Sequence, residues 1–178
     1  MSKKNHVAWV VRPSTSTDGP TVTQLLETCY TQLLPANYEA DLLQVALPKI
    51  TPVRTELLTC GTWYVVQDPT THAIVGCGGW TPASPTAKDG QPDVPHLRHF
   101  ATDPARLRQG IARALWNKCQ EDMEEYYKGK EKPSSMEVYS TLTAEPYYAS
   151  LGFVTEKKLE LPLGPDCLFP CLLMRRPF

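Results

Sequence analysis

The sequence lacks a surplus of charge of either sign. Its 178 residues carry 18 Lys and Arg against 19 Asp and Glu, a net charge of −1. A dedicated nucleic-acid-binding domain normally carries a strong positive balance, so that class is disfavoured. Long apolar runs are also missing, and none approaches the ~20 residues of a membrane-spanning helix. The opening MSKKNHVAWVV has two lysines, but its apolar stretch is short and stops at Arg12-Pro13. With no small-residue cleavage site there, a cytoplasmic protein is expected. Paired metal motifs are absent. The cysteines at 29, 60, 77, 119, 167 and 171 form no CxxC pair, and the histidines at 6, 72, 96 and 99 complete no zinc set with them. No metal is expected, and the thiols read as free and mostly buried. A Walker lysine and a full GxGxxG run are missing as well, which argues against an ordinary nucleotide-binding domain. No internal repeat and no long polar linker divides the chain, so residues 1–178 read as one domain.

What is present is a clear alternation of elements. HVAWVVRP (6–13) reads as a strand stopped by proline. Val22, Leu25, Leu26, Cys29, Leu33 and Leu34 fall at helical spacing, and YEADLLQVAL (38–47) is a second helix closed by Pro48. TCGTWYVVQD (59–68) and HAIVGCGGW (72–80) read as a hairpin, followed by a proline-rich loop over 81–95. HLRHFATD (96–103) is a further strand. QGIARALWNKCQEDMEEYY (109–127) is a strong amphipathic helix. KGKEKPSS (128–135) is a solvated loop, MEVYSTL (136–142) a strand, and AEPYYASLGF (144–153) a short helix ended by Gly152. VTEKKLELPL and CLLMRRPF form a last pair of strands. The order is β-α-α-β-β-β-α-β-α-β-β.

The stretch RLRQGIARAL (106–115) places a glycine where a helix begins. A helix start leaves its first N–H groups without partners and carries partial positive charge, which suits a phosphate or diphosphate. Gly110 permits unusual dihedrals and close ligand approach, Ala112 is small, and Arg106 and Arg108 add charge. A plain loop-to-helix junction would carry the same residues, so the turn needs support from elsewhere in the chain.

That support comes from the strand HFAT leading into the turn, a second strand leading into EPYYASLGF, and the element order. Together these resemble the GNAT superfamily of N-acetyltransferases. The family's phosphate-binding pattern, Q/R-x-x-G-x-G/A after an X-Pro pair, matches Leu107-Arg108-Gln109-Gly110-Ile111-Ala112 after Asp103-Pro104. Tyr147-Tyr148 and Gly152-Phe153 match its C-terminal signature. The resemblance spans nearly the whole chain. It implies an α/β (α+β) domain of GNAT fold, with a mixed, mostly antiparallel twisted sheet of six to seven strands flanked by about four helices. It implies an acyltransferase that moves an acetyl group from acetyl-CoA to a primary amine of a small molecule, by direct transfer in a ternary complex. The same fold also serves protein and peptide amines, and a non-catalytic acyl-CoA-binding module is the alternative of a different class. The chain departs from the pattern at Leu107, where Gln or Arg is usual. Arg106 and Arg108 are the candidates to offset that loss.

The resemblance assigns roles residue by residue. The turn from Leu107 to Ala112 would hold the pyrophosphate of coenzyme A through backbone N–H groups. The backbone of Phe100, Ala101 and Thr102 would pair with the pantetheine arm, with a bulge opening the slot. Tyr148 is the proton donor to the leaving sulfur, since a phenol stays protonated at neutral pH. His96 is the candidate base, with an ordinary pKa near 6.5. Strict alternation puts His96, Arg98, Phe100 and Thr102 on one strand face and Leu97, His99 and Ala101 on the other. No base is visible beside Cys77, so a thiol nucleophile is not expected. Tyr30, Tyr38 and Trp80 are candidates for an aromatic acceptor pocket, which would suit a small amine with an apolar portion. No nucleic-acid or membrane partner is expected, and dimers are common in the family, so a homodimer is an open possibility.

Overall fold

The computed structural model describes residues 8–87 and 94–178. His6 and Val7 of the expected first strand lie outside them, as do residues 88–93 of the proline-rich loop. The described residues form a seven-stranded sheet, ordered β1-β2-β3-β4-β5-β7-β6. Its strands are β1 (Val10–Pro13), β2 (Trp63–Gln67), β3 (Ile74–Thr81), β4 (His96–Thr102), β5 (Ser135–Ser140), β6 (Val154–Pro162) and β7 (Leu168–Pro177). Every neighbouring pair is antiparallel except β4 and β5. The final hairpin does not simply extend the sheet, because β7 inserts between β5 and β6.

The helices are α1 (Gly19–Leu33), α2 (Ala40–Ile50), α3 (Thr55–Leu58), α4 (Ile111–Tyr126) and α5 (Glu145–Ser150). The apolar face of α1 packs Val22, Leu25, Leu26 and Cys29 against Trp63, Val65, Cys77 and Ala101. On the other face, α4 buries Ile111, Leu115, Trp116, Cys119 and Met123 over Tyr64, Val66, Val75 and Leu97. Each such side chain contributes roughly 1.5–3 kcal/mol when fully buried. Five of the six cysteines are buried and all six are free; Cys60 is exposed.

Two differences from the sequence expectation concern helices. The helix expected to stop before Pro48 continues through it to Ile50. Proline removes one N–H donor, a small loss near a C-terminus. The last turn is held by Thr51, whose backbone N–H and hydroxyl both donate to the Leu47 carbonyl. The short α3 was not expected, because one helical turn carries too little periodicity to read.

The third difference shapes the site. Cys77 pairs with Ala101 and Gly79 with Arg98, so Gly78 faces two residues of β4, His99 and Phe100. This is a β-bulge, with His99 at φ +50° in the left-handed region. The extra residue reverses the alternation: Leu97 packs under α4 while Ala101 faces α1. Phe100 accordingly packs on the α4 side, against the expected facing. A strained residue of this kind costs about 1–3 kcal/mol and persists only where its surroundings hold it. Gly78 makes room for the bulge. A Cβ there would meet the Phe100 ring at 2.8 Å, and its φ of +144° disfavours any other residue.

Candidate active site

The parallel pairing of β4 with β5 consists of two positions, His96 with Glu137 and Leu97 with Val138. Beyond Leu97 the strands part, and the bulge at His99 directs β4 away. The edge of β4 from Arg98 to Thr102 is therefore left without a strand partner on that side. Two cavities occupy the opening.

The first has a volume of about 590 Å³ and runs from the β4 edge to the start of α4. Its walls include Phe100, Ala101, Thr102, Leu107, Arg108, Gly110, Ile111 and Ala112. Of the residues expected to bind cofactor, only Gln109 is not on its surface. The Gln109 carbonyl instead accepts a hydrogen bond of 2.9 Å from Trp9 Nε1, which braces the turn from the chain before β1. Gly110 caps α4 at φ +87°, and Arg108 precedes it at φ +63°. Among the described residues, no backbone N–H from Arg108 to Arg113 has a hydrogen-bond partner. These donors line a concave surface at a helix N-terminus, the arrangement a diphosphate requires.

Charge at the mouth is divided. Arg106 is engaged, bonded to Asp68 and 4.0 Å from Asp103. Arg108 and Arg113 line the cavity and make no ion pair among the described residues. Of the two arginines expected to offset Leu107, Arg108 is thus the available one, and Arg113 joins it. Arg113 was missed in the sequence, although its place three residues past Gly110 puts it on the first helical turn. Thr143 Oγ1, also on the cavity wall, is buried without a hydrogen-bond partner. Such an orphan polar atom costs about 1–3 kcal/mol unless a ligand meets it. The unpaired amides, two cations and this hydroxyl fit the phosphates and amide-bearing arm of coenzyme A.

The second cavity, about 390 Å³, is bounded by α2, α3, β4, β5 and the β6–β7 hairpin. His96, Arg98, His99, Tyr139, Leu163 and Phe169 are among its walls. Tyr30, Phe100, Thr141, Ala144 and Tyr148 belong to both cavities, so the two meet at these residues.

Tyr148 sits at that junction on α5. It is buried between Phe100, Tyr147 and Phe153, with ring centroids 6.3, 5.3 and 5.8 Å away. Burial, reinforced by Tyr147 and Tyr30, pushes its phenol well above the ordinary range, so the hydroxyl keeps its proton. Tyr147 plays a different part. Its hydroxyl donates to the Ala112 carbonyl at 2.8 Å, tying α5 to the first turn of α4.

His96 is buried, and its Nδ1 lies 3.2 Å from Glu137 Oε1. Arg175 donates to the other Glu137 oxygen, from Nε at 3.2 Å and Nη2 at 3.1 Å. Burial works to raise the Glu137 carboxyl, but the bonds from His96 and Arg175 outweigh it and hold it ionised. Burial lowers the His96 pKa, with Glu137 opposing, so the imidazole is neutral near neutral pH. A neutral ring that donates from Nδ1 to a carboxylate presents Nε2 as an acceptor. Nε2 has no hydrogen-bond partner among the described residues. Glu137 was not read from the sequence, though a carboxylate inside the apolar run MEVY was the available signal.

Other candidates are distributed differently. His99, expected to face away, lines the second cavity because the bulge turns it there. Burial first, then the charges of Arg98 and His96, lower its pKa to about 4. Tyr30 is at the junction of the cavities. Tyr38 lines neither: its hydroxyl donates to the Pro170 carbonyl at 2.9 Å and accepts from Leu142 N–H at 2.8 Å, while its ring stacks on Phe169. Trp80 is fully buried beneath α4, donating from Nε1 to Asp122 at 2.9 Å and packing edge-on against Tyr126. Its position in β3 gives it to the helix-covered face, away from both cavities. Cys77 is also enclosed, and burial pushes its thiol far up, which removes its nucleophilic form.

Residues 70–160 match the model of the acetyltransferase (GNAT) domain. A GCN5-related N-acetyltransferase of Rhodopseudomonas palustris, whose structure is also described as a class-II aminotransferase, superposes with TM-score 0.74 at 12% identity, over 99% of this chain and 100% of that one. The PaiA N-acetyltransferase of Thermoplasma acidophilum, solved with coenzyme A, gives 0.69 at 10% identity over 96% and 99%. The ribosomal-protein-S18-alanine N-acetyltransferase of Escherichia coli gives 0.56 at 15% identity over 95% and 93%. No curated protein matches the chain in sequence. Among the described residues, no helix is long and apolar enough to cross a membrane. The matched domain spans half the chain and contains the strand edge, the glycine turn and Tyr148, and the chain is therefore a member of the GNAT acetyltransferase family, an acyltransferase that uses acetyl-CoA.

Proposed function

We propose that the protein acetylates a primary amine of a small molecule by direct transfer, with both substrates bound at once. The observation that carries this reading is the meeting of the two cavities at Tyr148 and Phe100. Cofactor enters along the β4 edge and acceptor enters from the α2–α3 side, so the reacting groups converge without a covalent enzyme intermediate. Acetyl-CoA supplies the acetyl group as a thioester.

The chain's residues supply position and protons. Backbone N–H groups of residues 108–113, with Arg108 and Arg113, hold the phosphates. The open edge of β4 aligns the arm, and an N–H of that edge meets the carbonyl oxygen as charge develops. His96 Nε2 accepts the proton that the amine loses, directly or through one water. Tyr148 delivers its hydroxyl proton to the departing sulfur. The amine nitrogen gains one acyl bond and the thioester C–S bond breaks, so one proton leaves the amine and one arrives on sulfur. Protein acetylation is the second reading, since one structural neighbour is named for a ribosomal-protein alanine. The modest, walled acceptor cavity supports the small molecule.

A binding isotherm with acetyl-CoA and its dephospho and desulfo analogues, followed by an acceptor panel of amines and peptides, tests the proposal. Saturable binding and acetylation of small amines in preference to peptides are expected. Preferential acetylation of peptides would favour the second reading. Absence of acetyl-CoA binding would remove both.

A further inference from the structure

The acceptor cavity contains an unbalanced set of charges. Lys49, Arg54 and Arg98 all line it, and among the described residues no Asp or Glu does. None of the three has an ion-pair partner among the described residues, although most other buried or half-buried charges near the site do. Arg98 is the most telling. It is half-buried on β4, two residues from His96, and its guanidinium makes no side-chain hydrogen bond among the described residues. Glu137, the nearest buried carboxylate of the site, is already taken by His96 and Arg175.

Two cations held close together, one of them desolvated, repel each other, and proteins place them so where an anion will lie between them. Arg54 and Arg98 line the same cavity, and burial and then the charge of Arg54 both work against the charged form of Arg98. Arg54 sits at the N-terminal end of α3 and Lys49 in the last turn of α2, so separate elements converge on one wall. The rest of that wall is apolar, with Ile50, Leu57, Leu161 and Phe169.

We infer that the acceptor is an amine carrying its own carboxylate or phosphate, gripped by Arg98 and Arg54 with Lys49 at the rim, so that its amino group is presented towards His96. This names the substrate class of the proposed acetyl transfer and rests on that reading. It disfavours polyamines and lysine-rich peptides, whose positive charge the wall would repel.

Matched acceptor pairs test it: phenylalanine against phenylalaninamide, and phosphoethanolamine against ethanolamine. The amide's amine is less basic, so more of it is neutral near neutral pH and intrinsic reactivity favours the amide. A preference for the acid therefore reports binding. The anionic member of at least one pair should show a kcat/KM about tenfold or more above its neutral partner. R98Q should raise KM for the anionic acceptor about tenfold more than for the neutral one. The exposed R54Q should act in the same direction and guards against a folding defect in R98Q. Which pair responds distinguishes carboxylate from phosphate. A second readout needs no turnover: calorimetric titration of N-acetylphenylalanine and O-phosphoethanolamine into the protein with and without coenzyme A. Arginine-dependent binding of either, even if no amine is acetylated, would keep the anion site and overturn the proposed function. Acetylation that is indifferent to acceptor charge, or binding that neither substitution weakens, would overturn the anion site and leave acetyl transfer standing.

Discussion

His96 Nδ1 and Glu137 Oε1 lie 3.2 Å apart, with the side chains only 2% and 5% exposed. The two residues are also register partners, in the first of the two positions at which β4 and β5 pair. The pair that orients the imidazole thus lies one residue before the sheet opens beyond Leu97, so the proposed base and the slot are set by one short stretch of β4.

The pH dependence of catalysis follows from that burial. His96 works as a base only when neutral, and burial holds its pKa below the ordinary 6.5. With chemistry rate-limiting and a weakly basic acceptor amine that is neutral across the range, turnover should stay level as pH falls to 6.5 and decline only in more acidic solution. His96→Gln should lower kcat by about 10²-fold or more while acetyl-CoA affinity holds. His99→Gln should have the smaller effect on kcat. A pH–rate profile with its acid limb centred above 6.5 would contradict the role of burial.

Tyr148→Phe removes a hydroxyl at the junction of the cavities and preserves the ring that packs on Phe153. The expected result is a fall in kcat of about 10²-fold with little change in thermal stability. Single-turnover kinetics with saturating acetyl-CoA reads the chemical step directly. Unchanged turnover there would exclude the tyrosine as proton donor.

Gly78→Ala attacks the slot from behind. The added Cβ would stand 2.8 Å from the Phe100 ring, at a backbone φ of +144° that alanine disfavours. The bulge at His99 must shift, and Phe100 with it. Affinity for acetyl-CoA should fall at least about tenfold, with a stability loss of about 1–3 kcal/mol. Calorimetric titration and urea unfolding measure the two effects separately.

Far from the site, Asp18 accepts two hydrogen bonds of 2.8 Å from Arg12 and caps the segment before α1. The bonds from Arg12, partly opposed by burial, lower its carboxyl from 3.8 to about 2. Its contribution is complete above pH 3.8 and is lost as pH falls towards 2, because the unfolded chain takes up the proton first. Asp18→Asn should cost about 1–3 kcal/mol near neutral pH and flatten that acid limb, as followed by urea unfolding at a series of pH values.

Much of the site was legible in the sequence because it is local. The glycine turn, the helix it opens and the Tyr147-Tyr148 segment are contiguous stretches whose spacing follows from backbone geometry alone. The alternating elements likewise announced a sheet flanked by helices. Other features depend on what lies across the fold. Strict alternation misplaced His99, Phe100 and Ala101, because one extra residue opposite Gly78 reverses every facing after it. Trp80 and Tyr38 are aromatic residues of the right kind in the right elements, yet the first is covered by α4 and the second is spent bracing β7.

The sequence by itself determined the alternation of the main elements and where the glycine turn and the paired tyrosines lie within them, since those properties are set within a few residues. Tertiary structure alone decided that β7 inserts between β5 and β6, which brings Arg175 to Glu137, and that β4 pairs with β5, which brings Glu137 to His96. It also brought Lys49, Arg54 and Arg98 to one wall. Partners separated by tens of residues meet only through strand register and helix packing, and no local spacing encodes that meeting.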